Sequence, residues 1–270
     1  MLNYYCMKYV LALIISVIFI FNVPSSFAND DKETLIILDQ SASMIEHYNG
    51  RPKIEIAISA IKSILSNMSN NEYIGLRTVG VHPLKMMKMI TKVPNALCRA
   101  TEKLNPIEQS NKSDISESLR YIVPSGASPL QYTLETAINN DFYLRTKVKH
   151  IILVTDGYEN CDGDPCGYIR QIMLSRSDIK IDVITVGANS QDMNSLSCLT
   201  SATNGKILDI KTQSDVPSVV ANITSRPIQT SSLKMQTNSQ TTFRQPQTNI
   251  LNLISNPNIQ KRSYLLEFYE

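Results

Sequence analysis

Three short stretches hold oxygen-bearing side chains at spacings that suit a hard cation. They are Asp39-Gln40-Ser41-Ala42-Ser43-Met44, Gly126-Ala127-Ser128-Pro129-Leu130 and Asp156-Gly157. Together they offer the carboxylates of Asp39 and Asp156 and the hydroxyls of Ser41, Ser43 and Ser128. Alternation of Asp39, Ser41 and Ser43 lets one turn aim three side chains at a single point. Oxygen donors suit Mg2+, which prefers near-octahedral geometry and retains several waters. No His or Cys belongs to the set, which disfavours zinc and copper. Taken singly, each stretch also has a plain reading. Asp39 and Ser41 are favoured helix caps, and Ser128-Pro129 has the form of a cap followed by proline at the first helical position.

Other candidate groups carry less. An aspartate nucleophile for phosphoryl transfer is expected to have a second Asp two residues on, and Ser41 stands there. No Lys or Arg lies in the three loops, and phosphoryl transfer needs charge neutralisation at the site. His47, His82 and His150 share no motif, and His150 is expected only to flank a buried strand. Glu159, Asp162 and Asp164 form an acidic loop without the Gly and Glu spacing of an EF-hand, so it reads as solvated. Met86-Met87-Lys88-Met89 reads as a hairpin loop rather than a soft partner surface. No catalytic residue is assigned, and the chain reads as a non-enzyme.

The loops need strands to end at them. Thr34–Leu38 is a short apolar, β-branched run that reads as a strand buried on both faces, and Tyr73–Gly80, Val148–Thr155, Ile181–Gly187 and Lys206–Ile210 read as further strands. Helices are predicted over Lys53–Met68, Ser113–Tyr121, Leu130–Phe142, Pro165–Ser175, Met193–Thr203 and Asp215–Ser225. Asp114 and Glu117 stand at capping-box spacing. His82–Ala96 reads as a connection, and Cys98–Ile107 as an edge strand ended by Pro106. Strands alternating with helices predict an α/β fold, a doubly wound parallel sheet. In such sheets ligands bind beyond the carboxyl ends of the strands.

The remaining sequence bears on location. The 270 residues carry 26 Lys+Arg against 24 Asp+Glu, a balance that excludes strong attraction to nucleic acid. Val10–Val23 is a nearly unbroken apolar run of 14 residues, followed by Ser26 and Ala28 and then Asn29-Asp30-Asp31. This reads as a signal peptide, residues 1–28, cut after Ala28. An uncleaved membrane anchor is the alternative, but the run falls short of the ~20 residues a span needs. Cleavage removes Lys8 and no acid, and leaves no stable membrane span. Cys6 precedes the apolar run and is not a lipid-acceptor cysteine. Cys98, Cys161, Cys166 and Cys198 then remain, an even count that suggests two disulfides in an oxidising compartment. Three pairings are open, among them Cys161–Cys166 with Cys98–Cys198. A C-x4-C spacing without a second such pair argues against zinc. Residues 227–270 are rich in Gln, Thr, Ser and Asn and read as a polar linker or tail, with a strand-like Ser263–Tyr269.

The D-x-S-x-S loop after a buried strand, the G-x-S-P-L loop and the T-D-G loop, in that order, resemble the von Willebrand factor type A (VWA) domain. The segment Val154–Gly167 with Cys98 and Cys198 is similar to a secreted bacterial subset of that family. The resemblance implies a VWA domain over residues 32–226, with a mostly parallel sheet, one antiparallel edge strand and helices on both faces. It implies a metal-ion-dependent adhesion site in which Mg2+ or Mn2+ is held by Asp39, Ser41, Ser43, Ser128 and Asp156, the last often through water. The family completes coordination with an Asp or Glu of a protein partner. A periplasmic or secreted adhesion-type module follows. The alternatives are a structural cell-envelope protein with a vestigial site and, less favoured, a metal-dependent hydrolase. Ala42 stands where the family usually has Gly, and Ser128 where it usually has Thr. A serine hydroxyl is less restrained at χ1, which implies weaker metal binding.

Overall fold

The computed structural model describes residues 32–143, 148–157 and 159–224. The expectations for residues 1–28, for 227–270 and for Ser263–Tyr269 lie outside them. Six strands form one sheet: β1 (Lys32–Asp39), β4 (Tyr73–Val79), β5 (Thr101–Glu108), β6 (Val148–Thr155), β7 (Ile179–Val186) and β8 (Ile207–Ile210). Their order is β5-β4-β1-β6-β7-β8. All neighbours are parallel except β4 and β5. The sheet is thus mostly parallel with one antiparallel edge, as expected. Strand order reverses between β1 and β6, so a crevice opens beyond their carboxyl ends. Asp39 is the last residue of β1, and Asp156 follows the last residue of β6.

The apolar runs are explained by burial on both faces. Successive side chains of a strand point to opposite sides. Ile36 and Leu38 of β1 join Ile152 and Val154 of β6 and Ile184 and Val186 of β7 in one core. That core is covered by α1 (Lys53–Asn67), α3 (Lys112–Ser118) and α7 (Val216–Thr224), through residues such as Ile61, Ile115 and Val220. Leu35, Ile37, Ile151, Leu153, Ile181 and Val183 form the other core. It packs against α4 (Leu130–Asn140), α5 (Pro165–Met173) and α6 (Ser190–Ala202), through Leu134, Ile169 and Leu196.

Several local expectations are corrected. His82–Ala96 is not a plain connection: Pro83–Ile90 forms α2, capped by His82, whose Nδ1 accepts from Leu84 N at 3.3 Å. Proline at its first position is pre-set for helix, and Met86 packs with Val81 and Ala100. Pro106 does not end β5; it lies within it, at the irregular β4–β5 pairing. An edge strand tolerates a residue without N–H, and Asn111 Nδ2 donates to the Pro106 carbonyl at 2.6 Å. Cys98 precedes β5, in a 3-10 turn over Ala96–Arg99. Asp114 and Glu117 make no capping box; Glu117 accepts instead from Arg120 and Tyr121. A hairpin unforeseen in the sequence, β2 (His47–Tyr48) and β3 (Arg51–Pro52), turns at Asn49-Gly50. Both turn residues have positive φ, 50° and 83°, the conformation that makes Asn-Gly a hairpin signal.

The disulfides are Cys98–Cys161 and Cys166–Cys198, with Cα–Cα distances of 5.4 and 5.7 Å. The local staple Cys161–Cys166 does not form. The first bridge ties the loop after β6 to the segment before β5, and the second ties α5 to α6.

Charged groups inside the sheet are matched. Arg77 on β4 forms a two-pronged pair with Asp141, at 2.5 and 2.8 Å. His150 on β6 is more than a strand flank: its Nε2 lies 2.8 Å from Asp182 Oδ2 on β7, and Lys180 also pairs with Asp182. Burial alone raises the Asp182 carboxyl, but the His150 bond and the Lys180 charge outweigh it and hold the group down at about 2. Burial pushes the His150 imidazole below its ordinary value.

Candidate functional site

The three loops converge, and the backbone explains why. Ser41 N–H donates to Asp39 Oδ1 at 2.8 Å, closing a turn on the aspartate's own side chain. Ala42 then opens a 3-10 turn over Ala42–Ile45. That right-handed conformation suits any L residue, so alanine is tolerated in place of glycine. Ala42 N–H donates to Gly126 O at 3.1 Å, and Ser125 N–H to Gln40 O at 2.7 Å, which lock the first loop to the second. Gly126 has φ of +78°, and a Cβ there would meet Met86 Cε at 3.3 Å. Ser128 N–H donates to Asn160 Oδ1 at 2.7 Å, so the loop after β6 holds the second loop from its other side.

All five side chains expected at the site come together. Ser128 Oγ donates to Asp39 Oδ2 at 3.2 Å, and Ser43 Oγ to Asp156 Oδ1 at 2.9 Å. Ser41 Oγ and Ser43 Oγ are 3.1 Å apart. Asp39 is 1% exposed, and Ser41, Ser128 and Asp156 are also buried. Ser128 does not cap α4 through its hydroxyl, which points to Asp39.

Four contributors were missed in the sequence. Thr155 Oγ1 donates to Asp39 Oδ2 at 2.7 Å. Its place in the T-D-G stretch, directly before Asp156, is the signal that the sequence offers for it. Asn160 is the second, as described. Glu159 is the third: it is no solvated acid, since Oε2 accepts from Gln131 N at 2.7 Å in the first turn of α4 and Oε1 from Cys161 N at 2.8 Å. Asp164 likewise caps α5, accepting from Gly167 N at 2.8 Å. Lys53 is the fourth. It lies outside the three loops, yet its Nζ reaches Asp156 Oδ2 at 2.9 Å and Glu46 Oε2 at 2.7 Å. The three loops themselves hold no Lys or Arg, as read from the sequence; the cation comes from the first turn of α1.

The two site aspartates differ. Among the described residues, the donors on Asp39 are all neutral: Ser41 N, Ser128 Oγ and Thr155 Oγ1. Burial raises its carboxyl above the ordinary value, Thr155 and Ser41 only partly oppose this, and the nearby Asp156 charge adds to the rise. Burial pulls the Lys53 ammonium down, but Glu46 and Asp156 more than offset that and hold it above the ordinary lysine value. Among the described residues no three His, Cys, Asp or Glu side chains gather into a group that could hold a metal ion. The donor set here is two carboxylates with three serine hydroxyls and Thr155, hard oxygens throughout. A buried carboxylate with neutral donors, one carboxylate neighbour and hydroxyls converging fits a hard divalent cation.

This strand order, with acidic and hydroxyl loops gathered at its switch point, defines a fold class that comparison with known proteins names. The family model for the von Willebrand factor type A domain matches residues 32–208, and the chain belongs to that family. It is 27% identical to the uncharacterized protein YwmD of Bacillus subtilis (strain 168) over 155 residues, 57% of this chain and 67% of YwmD. A von Willebrand factor type A structure from Catenulispora acidiphila superposes with a TM-score of 0.54 at 16% identity, over 73% of this chain and 42% of that one. Proximal thread matrix protein 1 from the mussel byssus, with a zinc-occupied MIDAS motif, gives a TM-score of 0.53 at 16% identity, over 72% of this chain and 44% of that one. Both structures extend well beyond the region matched, and their likeness shows the fold. Domains of this family commonly serve in protein interaction, some through such metal sites.

Proposed function

We propose that the chain is an exported, non-enzymatic binding module that grips an acidic residue of a protein partner through a divalent cation, Mg2+ or Mn2+. Asp39 carries the reading. A carboxylate 1% exposed, held by neutral donors and facing a second carboxylate, is short of positive charge. Asp39, Ser41, Ser43 and Ser128 would hold the ion, with Asp156 behind them. The bound cation would supply an open coordination position for a partner's Asp or Glu. The chain's own part is to hold its oxygens in place beforehand, through the Ala42–Gly126, Ser125–Gln40 and Ser128–Asn160 bonds.

Export after cleavage at Ala28, to the periplasm or the medium, belongs to the same proposal. Two disulfides within one domain suit an oxidising compartment. Among the described residues no helix is long and apolar enough to cross a membrane.

The deciding experiment is calorimetric titration of Mg2+ and Mn2+ into chelator-stripped protein, with thermal melting alongside. Saturable binding that raises the melting point and vanishes in Asp39→Ala is the expected result. Capture of a partner that chelator releases, and that an acidic peptide competes away, completes it. No binding at millimolar metal overturns the metal bridge and leaves a structural protein with a vestigial site.

A further inference from the structure

We propose that Lys53 is a built-in cation of the site, one that competes with the divalent ion for Asp156 and so holds metal affinity down. The inference rests on the metal-bridge reading.

Three elements place this ammonium. Lys53 is the first residue of α1 and follows directly on the β2–β3 hairpin. Its backbone N–H donates to Glu46 O at 2.9 Å, which fixes where the side chain starts. Its stem then runs beneath the hairpin: Lys53 is only 8% exposed. At the end of β7, Gly187 makes room for it. A Cβ on Gly187 would stand 2.8 Å from the Tyr48 ring and 3.3 Å from Lys53 Cε. Gly187 also has φ of +65°, a conformation that glycine adopts without strain. A side chain at Gly187 would thus crowd both Tyr48 and the end of the Lys53 stem, whose Nζ reaches Asp156 at 2.9 Å. Lysine is rarely so buried unless paired, and here the pairing is with a site carboxylate.

The pairing divides Asp156 in two. Oδ1 accepts from Ser43, within the site, and Oδ2 accepts from Lys53, behind it. A divalent cation drawing on Asp156 therefore shares the carboxylate with a positive charge that burial shields poorly from it. Asp39 carries no such partner among the described residues. The two carboxylates are matched by one fixed positive charge, and only the remainder attracts a metal ion. Glu46 sets how strongly Lys53 acts. Its carboxylate, mostly exposed, lies 2.7 Å from the same ammonium and draws it away from Asp156.

The two neighbours give opposite predictions. In Lys53→Met, Mg2+ and Mn2+ should bind about tenfold more tightly or better, since a buried like charge is removed. Its melting point in chelator should fall, because Asp156 is left without its counter-charge, and the rise on adding Mg2+ should exceed that of the wild type. In Glu46→Gln, Lys53 keeps Asp156 alone, and affinity should fall several-fold. The same calorimetry on wild type, Lys53→Met, Glu46→Gln and Asp39→Ala reads all of this. Should Lys53→Met fail to fold, Glu46→Gln, a change at an exposed side chain, carries the test by its sign. Metal binding by Lys53→Met where the wild type binds none overturns the metal bridge in the native protein and supports Lys53 alone, as the group that silences the site. Saturable, Asp39-dependent binding that is no tighter in Lys53→Met, or is tighter in Glu46→Gln, overturns the role of Lys53 and leaves the metal bridge standing. Absence of binding in every protein overturns both.

Discussion

Asp39 and Asp182 are both buried aspartates on parallel strands of one sheet, β1 and β7, which flank β6. Their surroundings drive them in opposite directions. Asp182 receives His150, Lys180 and the Lys206 N–H, and its carboxyl is held down at about 2. Asp39 receives two hydroxyls and one backbone N–H, and burial raises its carboxyl. The first arrangement is complete within the protein. The second has no charged donor among the described residues, and in the proposed function a cation from outside completes it. A buried carboxylate serves structure where the fold supplies the opposing charge and binding where the fold withholds it.

The contrast can be broken at several points. The largest effect is expected for Asp182→Asn, which leaves Lys180 inside without its carboxylate. Loss of one partner of a buried pair costs about 3–5 kcal/mol, to be read by urea unfolding. A loss under about 1 kcal/mol would remove the structural half of the comparison. Acid unfolding comes next. The folded carboxyl of Asp182 lies at about 2, below the ordinary 3.8. Its contribution is present above the unfolded value and is lost as pH falls from about 4 through about 2. The loss amounts to about 2 kcal/mol, and urea unfolding in steps across that range should show it in wild type and not in Asp182→Asn.

A smaller effect is expected at the loop junction. Gly126→Ala forces an L side chain into positive φ against Met86, at about 1–2 kcal/mol, and shifts the carbonyl that holds Ala42. Metal titration should then show weaker binding with the sheet intact by circular dichroism; unchanged affinity would mean that the loops are positioned independently. The smallest stability change belongs to Asp39→Asn in chelator. A carboxyl whose folded value is raised opposes folding once ionised, so neutralising it at pH 7 should leave stability within about 1 kcal/mol of wild type or slightly above it. Thermal melts with and without Mg2+ test this. A loss as large as that of Asp182→Asn would show Asp39 to be structural.

Much of this architecture was legible in the sequence. The runs Thr34–Leu38, Val148–Thr155 and Ile181–Gly187 announced buried strands, and the helical stripe from Ile54 to Leu65 announced α1. The three oxygen-bearing loops were legible because Asp39, Ser41 and Ser43 lie within one turn, because Asp156 follows a strand, and because Ser128-Pro129 opens a helix. These are signals of short range, set by backbone period and side-chain type. The Asn49-Gly50 hairpin rests on a signal of the same kind, an Asn-Gly pair. The α2 helix rests on a Pro83 start and on Met86 meeting Val81 and Ala100.

What the tertiary structure decided is of longer range. Four cysteines allow three pairings, and only the approach of the β6–α5 loop to the segment before β5 selects Cys98–Cys161. His150 and Asp182 are 32 residues apart, and only the register of β6 against β7 brings them together. Lys53 and Asp156 are 103 residues apart, and Asp39 and Thr155 are 116 apart. Residue types in sequence determine which charges exist; the distances that decide whether each is matched are set by strand order and loop closure, which no local pattern encodes. The site loops were therefore visible in the chain, while the charge balance that makes one aspartate structural and another available to a cation arose only on folding.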